Sequence, residues 1–188
     1  CGSLLNRPAL KGFDQHAFDV DKIDSATRLE EHLKSLASQP DSPARNTVVV
    51  AGGGFTGIET ATELPTRLRA IFGEQVTPRI VVVDRGAKIG AALGAGISPA
   101  IEAASTELGI EWICGATVAS VDGDGVLLDN GQRIPAKTVI WTVGFKANPL
   151  TEQIRGERDR QGRLHVDGNL KVKGNGAVYA AGDVAYAG

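Results

Sequence analysis

The stretch NTVVVAGGGFTGIETATEL, Asn46 to Leu64, constrains this chain more than any other. A short continuous apolar run, Thr47–Val50, passes straight into three glycines, and a helix-like segment follows from about Thr56 to Ile71. A run of that kind suits a strand buried on both faces of a parallel sheet. Glycine inside an element costs up to ~1 kcal/mol relative to alanine, so a cluster at a strand-to-helix turn needs a reason. The glycines fit G-x-G-x-x-G at Gly52, Gly54 and Gly57. In that pattern the first glycine permits the tight turn, the second lets a dinucleotide pyrophosphate approach the backbone, and the third lets the helix pack close to the strand. Free N–H groups and the helix dipole favour the phosphates. Gly53, Phe55 and Thr56 complete the loop and are candidate contacts. Pro65 sits inside the helical segment and predicts a kink or a break.

A lone match to this pattern is weak, and its neighbourhood strengthens it. Arg79–Asp84, RIVVVD, reads as a second buried strand that ends on an acidic residue. Asp84 lies 27 positions past Gly57, against an interval of about 20 in the usual pattern; the GEQVTP loop accounts for the excess. Its carboxylate can take ribose 2′-hydroxyl bonds and repel a 2′-phosphate, favouring NADH, or it can serve only to cap the strand. Arg85 can accommodate a 2′-phosphate, so NADPH stays open. Glu59 allows two readings: complementing the helix dipole from the first turn, or placing a carboxylate by the nicotinamide.

The remaining chain reads as an α/β, three-layer Rossmann-like domain: a parallel sheet with helices and an antiparallel β-meander. Asp21–Leu36 has helical apolar spacing. Ser98–Leu108 reads as a helix with Ser98 as N-cap and Pro99 at its first position, and GIEWICGA as a third strand. The segment TVASVDGDGVLLDNGQRIPAKTVIWTVG holds short runs split by Asp-Gly and Asn-Gly, which are hairpin signals. Residues 1–18 read mostly as loop, 151–174 as turn-rich, and AVYAAGDVAYAG as an apolar strand running into Gly182-Asp183.

Composition excludes other classes. The 188 residues carry a net charge of -2 with no basic run, which gives no pull toward nucleic acid. Apolar runs are too short to span a membrane. Cys1 and Cys114 stand alone and read as reduced thiols, and the three histidines have no metal-ligand spacing.

Taken together, VVVAGGGFTGIETATEL, VVVDR, TVIWTVGFKANPL and VYAAGDVA resemble the FAD-dependent pyridine nucleotide-disulfide oxidoreductases. HAFDVDKIDSATRLEEHL ahead of the glycine loop looks like the type II NADH dehydrogenase branch. The resemblance implies that NADH passes hydride to FAD, and FAD reduces a quinone or similar acceptor. It places Glu59 by the nicotinamide and Asp84 on the ribose. It sets Val143 and Gly144 in the nucleotide pocket, and Gly182 and Asp183 on the ribityl chain of FAD. Hydride transfer needs no side-chain acid or base, so no catalytic residue is named. CGS at residues 1–3 resembles the end of the motif at which the chain leaves the FAD domain. No second G-x-G-x-x-G and no starting methionine are present, so the expectation is an excised piece that does not hold FAD tightly by itself. Its expected parts are 1–44, an FAD-domain remnant and linker helix; 45–147, the NAD(P)H-binding domain; and 148–188, a second remnant. The intact protein is expected in the cytoplasm or peripheral to the inner membrane, with a homo-oligomer left open. Two alternatives stand: a ferredoxin- or rubredoxin-type reductase, and a non-catalytic NAD(P)-binding domain.

Overall fold

A computed structural model describes residues 2–94 and 96–187; Cys1, and with it one of the two thiols, lies outside them. The chain forms two compact units. One is Pro8–Val143; the other joins the described parts of residues 1–7 and 144–188.

The larger unit is built on a five-stranded, all-parallel sheet. Its strands are β2 (Ala17–Phe18), β3 (Thr47–Ala51), β4 (Arg79–Asp84), β5 (Ile110–Cys114) and β9 (Thr138–Trp141), in spatial order β2-β9-β3-β4-β5. Every residue of β3 is buried, as expected for a central strand covered on both faces. Val48, Val50, Ile80, Val82 and Ile140 face α2 (Ile23–Leu36) and α4 (Phe55–Phe72). Leu33, Leu36 and Leu68 from those helices are almost wholly buried; truncating one such leucine to alanine costs about 2–5 kcal/mol. On the opposite face Trp141 receives the ring of Phe13 from the short α1 (Phe13–His16) edge-on, with centroids 5.3 Å apart. A three-stranded antiparallel meander, β6 (Val118–Asp122), β7 (Gly125–Leu128) and β8 (Arg133–Pro135), also contacts the sheet there through β7 and β9. The three layers follow. The single-turn α3 (Pro43–Asn46), capped by Ser42, leads into β3, and α5 (Ser98–Leu108) leads into β5.

The smaller unit pairs β1 (Ser3–Leu5) antiparallel with β10 (Phe145–Ala147), and β11 (Leu164–Val166) parallel with β12 (Ala185–Ala187). Its core holds Ala147, Leu164, Val166, Val172, Ala180 and Val184.

Several expectations are corrected. α4 runs unbroken through Pro65, whose ring is buried. Packing of Ala61, Leu64 and Leu68 outweighs the cost of about 3 kcal/mol for one lost bond and a local clash. Ser98 is not the cap of α5: Ile97 holds that position, and the Ser98 hydroxyl donates to the Ile89 carbonyl. The TVIW strand leaves the meander and joins the parallel sheet beside β3. Residues 1–18 contain two strands, β1 and β2, each stabilised by a distant partner. In the C-terminal segment the strand follows Gly182-Asp183 instead of preceding it.

His32 offers a test of this packing. Its ring stacks on Phe18 with centroids 4.4 Å apart, and Nε2 lies 3.1 Å from the Lys137 carbonyl and 3.0 Å from Thr138 Oγ1. Burial lowers its pKa below the usual 6.5, and the bond to Lys137 only partly offsets this. Between the lowered value and 6.5 the unfolded chain binds a proton that the folded chain refuses, so stability is lost as pH falls through that window. Thermal melts from about pH 7.5 to about pH 5.5 are expected to decline less steeply in His32→Gln, which keeps a donor but cannot titrate. Parallel slopes would contradict a neutral, half-buried His32.

Candidate functional site

β3 is the point where the strand order reverses. The chain steps from β3 outward to β4 and β5, then returns to lay β9 on the other side of β3. Ligands of open parallel sheets bind at the carboxyl edge of such a switch point, and the glycine loop leaves β3 there. Both neighbours hold its base: Gly52 N–H donates to the Val83 carbonyl at 2.8 Å, and Thr142 N–H to the Ala51 carbonyl at 2.9 Å. Thr142 Oγ1 adds a bond shared between the carbonyls of Ala51 (2.9 Å) and Gly52 (3.2 Å).

The glycines differ in what requires them. Gly52 has φ +108°, and a Cβ there would sit 2.8 Å from Thr142 Oγ1 and 2.9 Å from Val143 Cγ2. A Cβ on Gly57 would fall 1.9 Å from the Gly52 carbonyl oxygen, so the start of α4 rests on the turn. Gly53 is closed off by the Trp112 ring and by Asp84. Gly54 is different. A Cβ there meets nothing within 4 Å, its φ of -78° suits any residue, and it is the N-cap of α4 with no side-chain capping bond. Nothing internal requires glycine at 54. The space in front of the uncapped helix start suits an anion that closes directly on the backbone.

Asp84 ends β4 beside the loop. Its Oδ2 accepts the Gly53 N–H at 2.7 Å and its Oδ1 accepts the Gly86 N–H at 2.7 Å. The carboxylate is thus fixed in orientation and ties the glycine loop to the turn after β4. Arg85 is exposed next to it. Phe55, which is 63% exposed, and Thr56 open α4. Glu59 is exposed and one helical turn beyond Phe55 on the same face. It is the fifth residue of α4, not part of its first turn, so the dipole explanation for it weakens. Val143, 40% exposed, follows Thr142 at the end of β9. The structure therefore gathers Gly52–Gly57, Asp84 and Val143 at one edge of the larger unit.

The other predicted residues belong to the smaller unit. Gly144 has φ +75° and its carbonyl accepts the Asn6 N–H. Gly182 has φ +71° with open space where a Cβ would lie. Asp183 is exposed, and the Ser3 hydroxyl donates to its Oδ2 at 2.8 Å. The described parts of residues 1–7 and 144–188 thus share one unit, whereas residues 8–44 belong to the larger one.

Sequence reading missed Thr142, Gly86, Ser105 and Trp112. Trp112 Nε1 donates to Ser105 Oγ at 2.9 Å. The extra glycine, Gly53, signals only that something closes on the loop there, since the motif itself leaves that position free. Burial, with Asp84 and Glu102 nearby, pushes the Cys114 thiol up, away from a reactive thiolate. Among the described residues no group of three or more His, Cys, Asp or Glu side chains could hold a metal, and no helix is long and apolar enough to cross a membrane.

This chain is similar to known proteins in sequence and in fold. An NADH dehydrogenase-like protein of Mycobacterium tuberculosis is 49% identical over 188 residues, spanning 99% of this chain and 47% of the relative. A type II NADH:quinone oxidoreductase of the same organism is 28% identical, spanning 92% of this chain and 42% of its own. The structure of NDH2 from Plasmodium falciparum in complex with NADH superposes with a TM-score of 0.73 at 22% identity, over 99% of this chain and 43% of that one. The chain thus spans about half the length of the curated relatives it matches. The profile of the pyridine nucleotide-disulphide oxidoreductases matches residues 1–188, and this chain belongs to that family.

Proposed function

We propose that this chain is the NADH-binding part of a flavin-dependent NADH dehydrogenase that delivers electrons to a quinone. The single observation that carries the reading is Gly54: a motif glycine with no internal need to be glycine, at an uncapped helix start on the switch-point edge. The names of the relatives support the chemistry.

In this reading Gly52 and Gly57 hold the turn, and Gly53, Gly54, Phe55 and Thr56 receive the pyrophosphate. Asp84 accepts the adenosine ribose hydroxyls on oxygens already aligned by Gly53 and Gly86, which favours NADH over NADPH despite Arg85. Glu59 lies toward the nicotinamide, with Val143 and Gly144 lining the pocket. Gly182 and Asp183, left open and exposed, suit the ribityl chain of FAD. Bound FAD supplies the redox chemistry, accepting hydride and passing electrons on. The side chains here bind and orient; none is needed to move a proton during hydride transfer. The division at 44 and 147 follows the same ancestry, with 1–44 and 148–188 drawn from the flavin domain, and a quinone acceptor places the intact protein at a membrane surface.

The test is the purified full-length gene product under anaerobic conditions. Yellow flavin absorbance, bleached by NADH and restored by a soluble quinone, is the expected result. A colourless protein that binds NADH would favour the non-catalytic alternative. A yellow protein reoxidised by a ferredoxin and not by quinone would favour the protein-acceptor alternative.

A further inference from the structure

Gly53 occupies a position that the glycine motif leaves free, yet the structure demands glycine there. A Cβ at 53 would lie 2.6 Å from Trp112 Cζ3, and 3.1 Å from both Cβ and Cγ of Asp84. β5, the loop and β4 therefore come together at this point with no room for a side chain between them. The Trp112 ring is held by its Nε1–H bond to Ser105 Oγ on α5, and Ser105 is itself 5% exposed. Its flank packs against the core beneath α4. The ring edge thus bounds the space beside the Gly53 peptide, whose N–H donates to Asp84 Oδ2.

We propose that Trp112, fixed by Ser105, is a positioning residue that holds Gly53 and so aims the Asp84 carboxylate that selects NADH over NADPH. The inference rests on the reading of Asp84 as the ribose ligand. The physical content is a chain of neighbours: Ser105 holds the indole, the indole leaves no room for a side chain at 53, and the Gly53 N–H bonds Asp84. The indole cannot turn without breaking its part-buried hydrogen bond to Ser105. The gap between the Gly53 backbone and the ring has no room for a side chain, and the carboxylate follows the N–H it accepts. Selectivity by a carboxylate is a matter of orientation, because a turned carboxylate neither takes both ribose hydroxyls nor meets a 2′-phosphate head-on. Tryptophan suits this role, with a large rigid face and one donor to lock it.

The experiment is isothermal titration of the 188-residue chain and its variants with NADH and, separately, with NADPH, alongside thermal melts. In Trp112→Leu the NADH-to-NADPH affinity ratio is expected to fall about tenfold, the worth of one hydrogen bond to a charged group. In Ser105→Ala, which keeps the ring but frees it, the ratio falls in the same direction by a smaller factor. Gly53→Ala alone is expected to lose NADH binding, and Gly53→Ala with Trp112→Leu to regain part of it, because the methyl group enters space the ring has left. Trp112→Leu and Ser105→Ala variants that melt lower but keep the parent ratio would overturn the inference and leave Trp112 a core residue. If Trp112→Leu does not fold, the ratio in Ser105→Ala decides alone. A parent chain that binds neither nucleotide overturns the reading of the glycine loop, and this inference with it; a parent that binds NADH while the variants keep its ratio overturns this inference only.

Discussion

Gly54→Val is expected to lower NADH affinity about a hundredfold while the protein melts close to the parent, the penalty being that of forcing side-chain atoms into a filled contact. The contrast with its neighbours makes the result informative. Gly54 has an extended backbone and open space in front of it, so valine costs the empty protein little. Gly57→Val places its Cβ 1.9 Å from the Gly52 carbonyl oxygen and is expected to destabilise the fold by about 3 kcal/mol or more, as overpacking against backbone does. Titration with NADH and thermal melting together separate the two effects. A Gly54→Val protein that folds and binds NADH like the parent would remove the phosphate from this loop.

Asp84→Ala is expected to reverse the cofactor preference. The carboxylate accepts two backbone N–H groups, those of Gly53 and Gly86. Removing it takes away the ribose acceptor and uncovers both donors, with the Arg85 guanidinium adjacent. Two convergent N–H groups and a cation form a fitting receptor for a 2′-phosphate. NADH affinity should fall about tenfold, as for a lost hydrogen bond to a charged group, while NADPH affinity rises. Asp84→Asn, which retains an acceptor and cannot satisfy both N–H groups equally, should lie between. An unchanged ratio in Asp84→Ala would make Asp84 a clip between the glycine loop and the β4 turn and nothing more.

Much of this site was legible because its signals are local. The apolar runs of β3 and β4 and the glycines after β3 sit next to one another in sequence, and each carries its own physical requirement. Asp84 was legible as the end of a strand, but its two N–H partners were not, since they depend on how β4 lies beside the loop. Trp112 could not be read as part of the site: its contact with Gly53 arises only when β5 joins the sheet beyond β4. The same cause explains the errors in the fold. Ala17–Phe18 is too short to show a period and is a strand only because β9 pairs with it. The TVIW strand follows two hairpin signals and reads as a third hairpin strand, whereas four buried residues make it a central parallel strand. Pro65 carries a strong local breaking signal that the packed face of α4 overrides. The meeting of Ser3 with Asp183 was implied only by resemblance, and no local pattern in either segment points to it.

The most direct test of the central claim is isothermal titration of the 188-residue chain with NADH, run in parallel on the parent and on Gly54→Val. Saturable one-to-one binding to the parent is expected, with near-complete loss of that heat in a variant that still melts cooperatively at the parent's temperature. Equal binding by both proteins, or no binding by a folded parent, would contradict it.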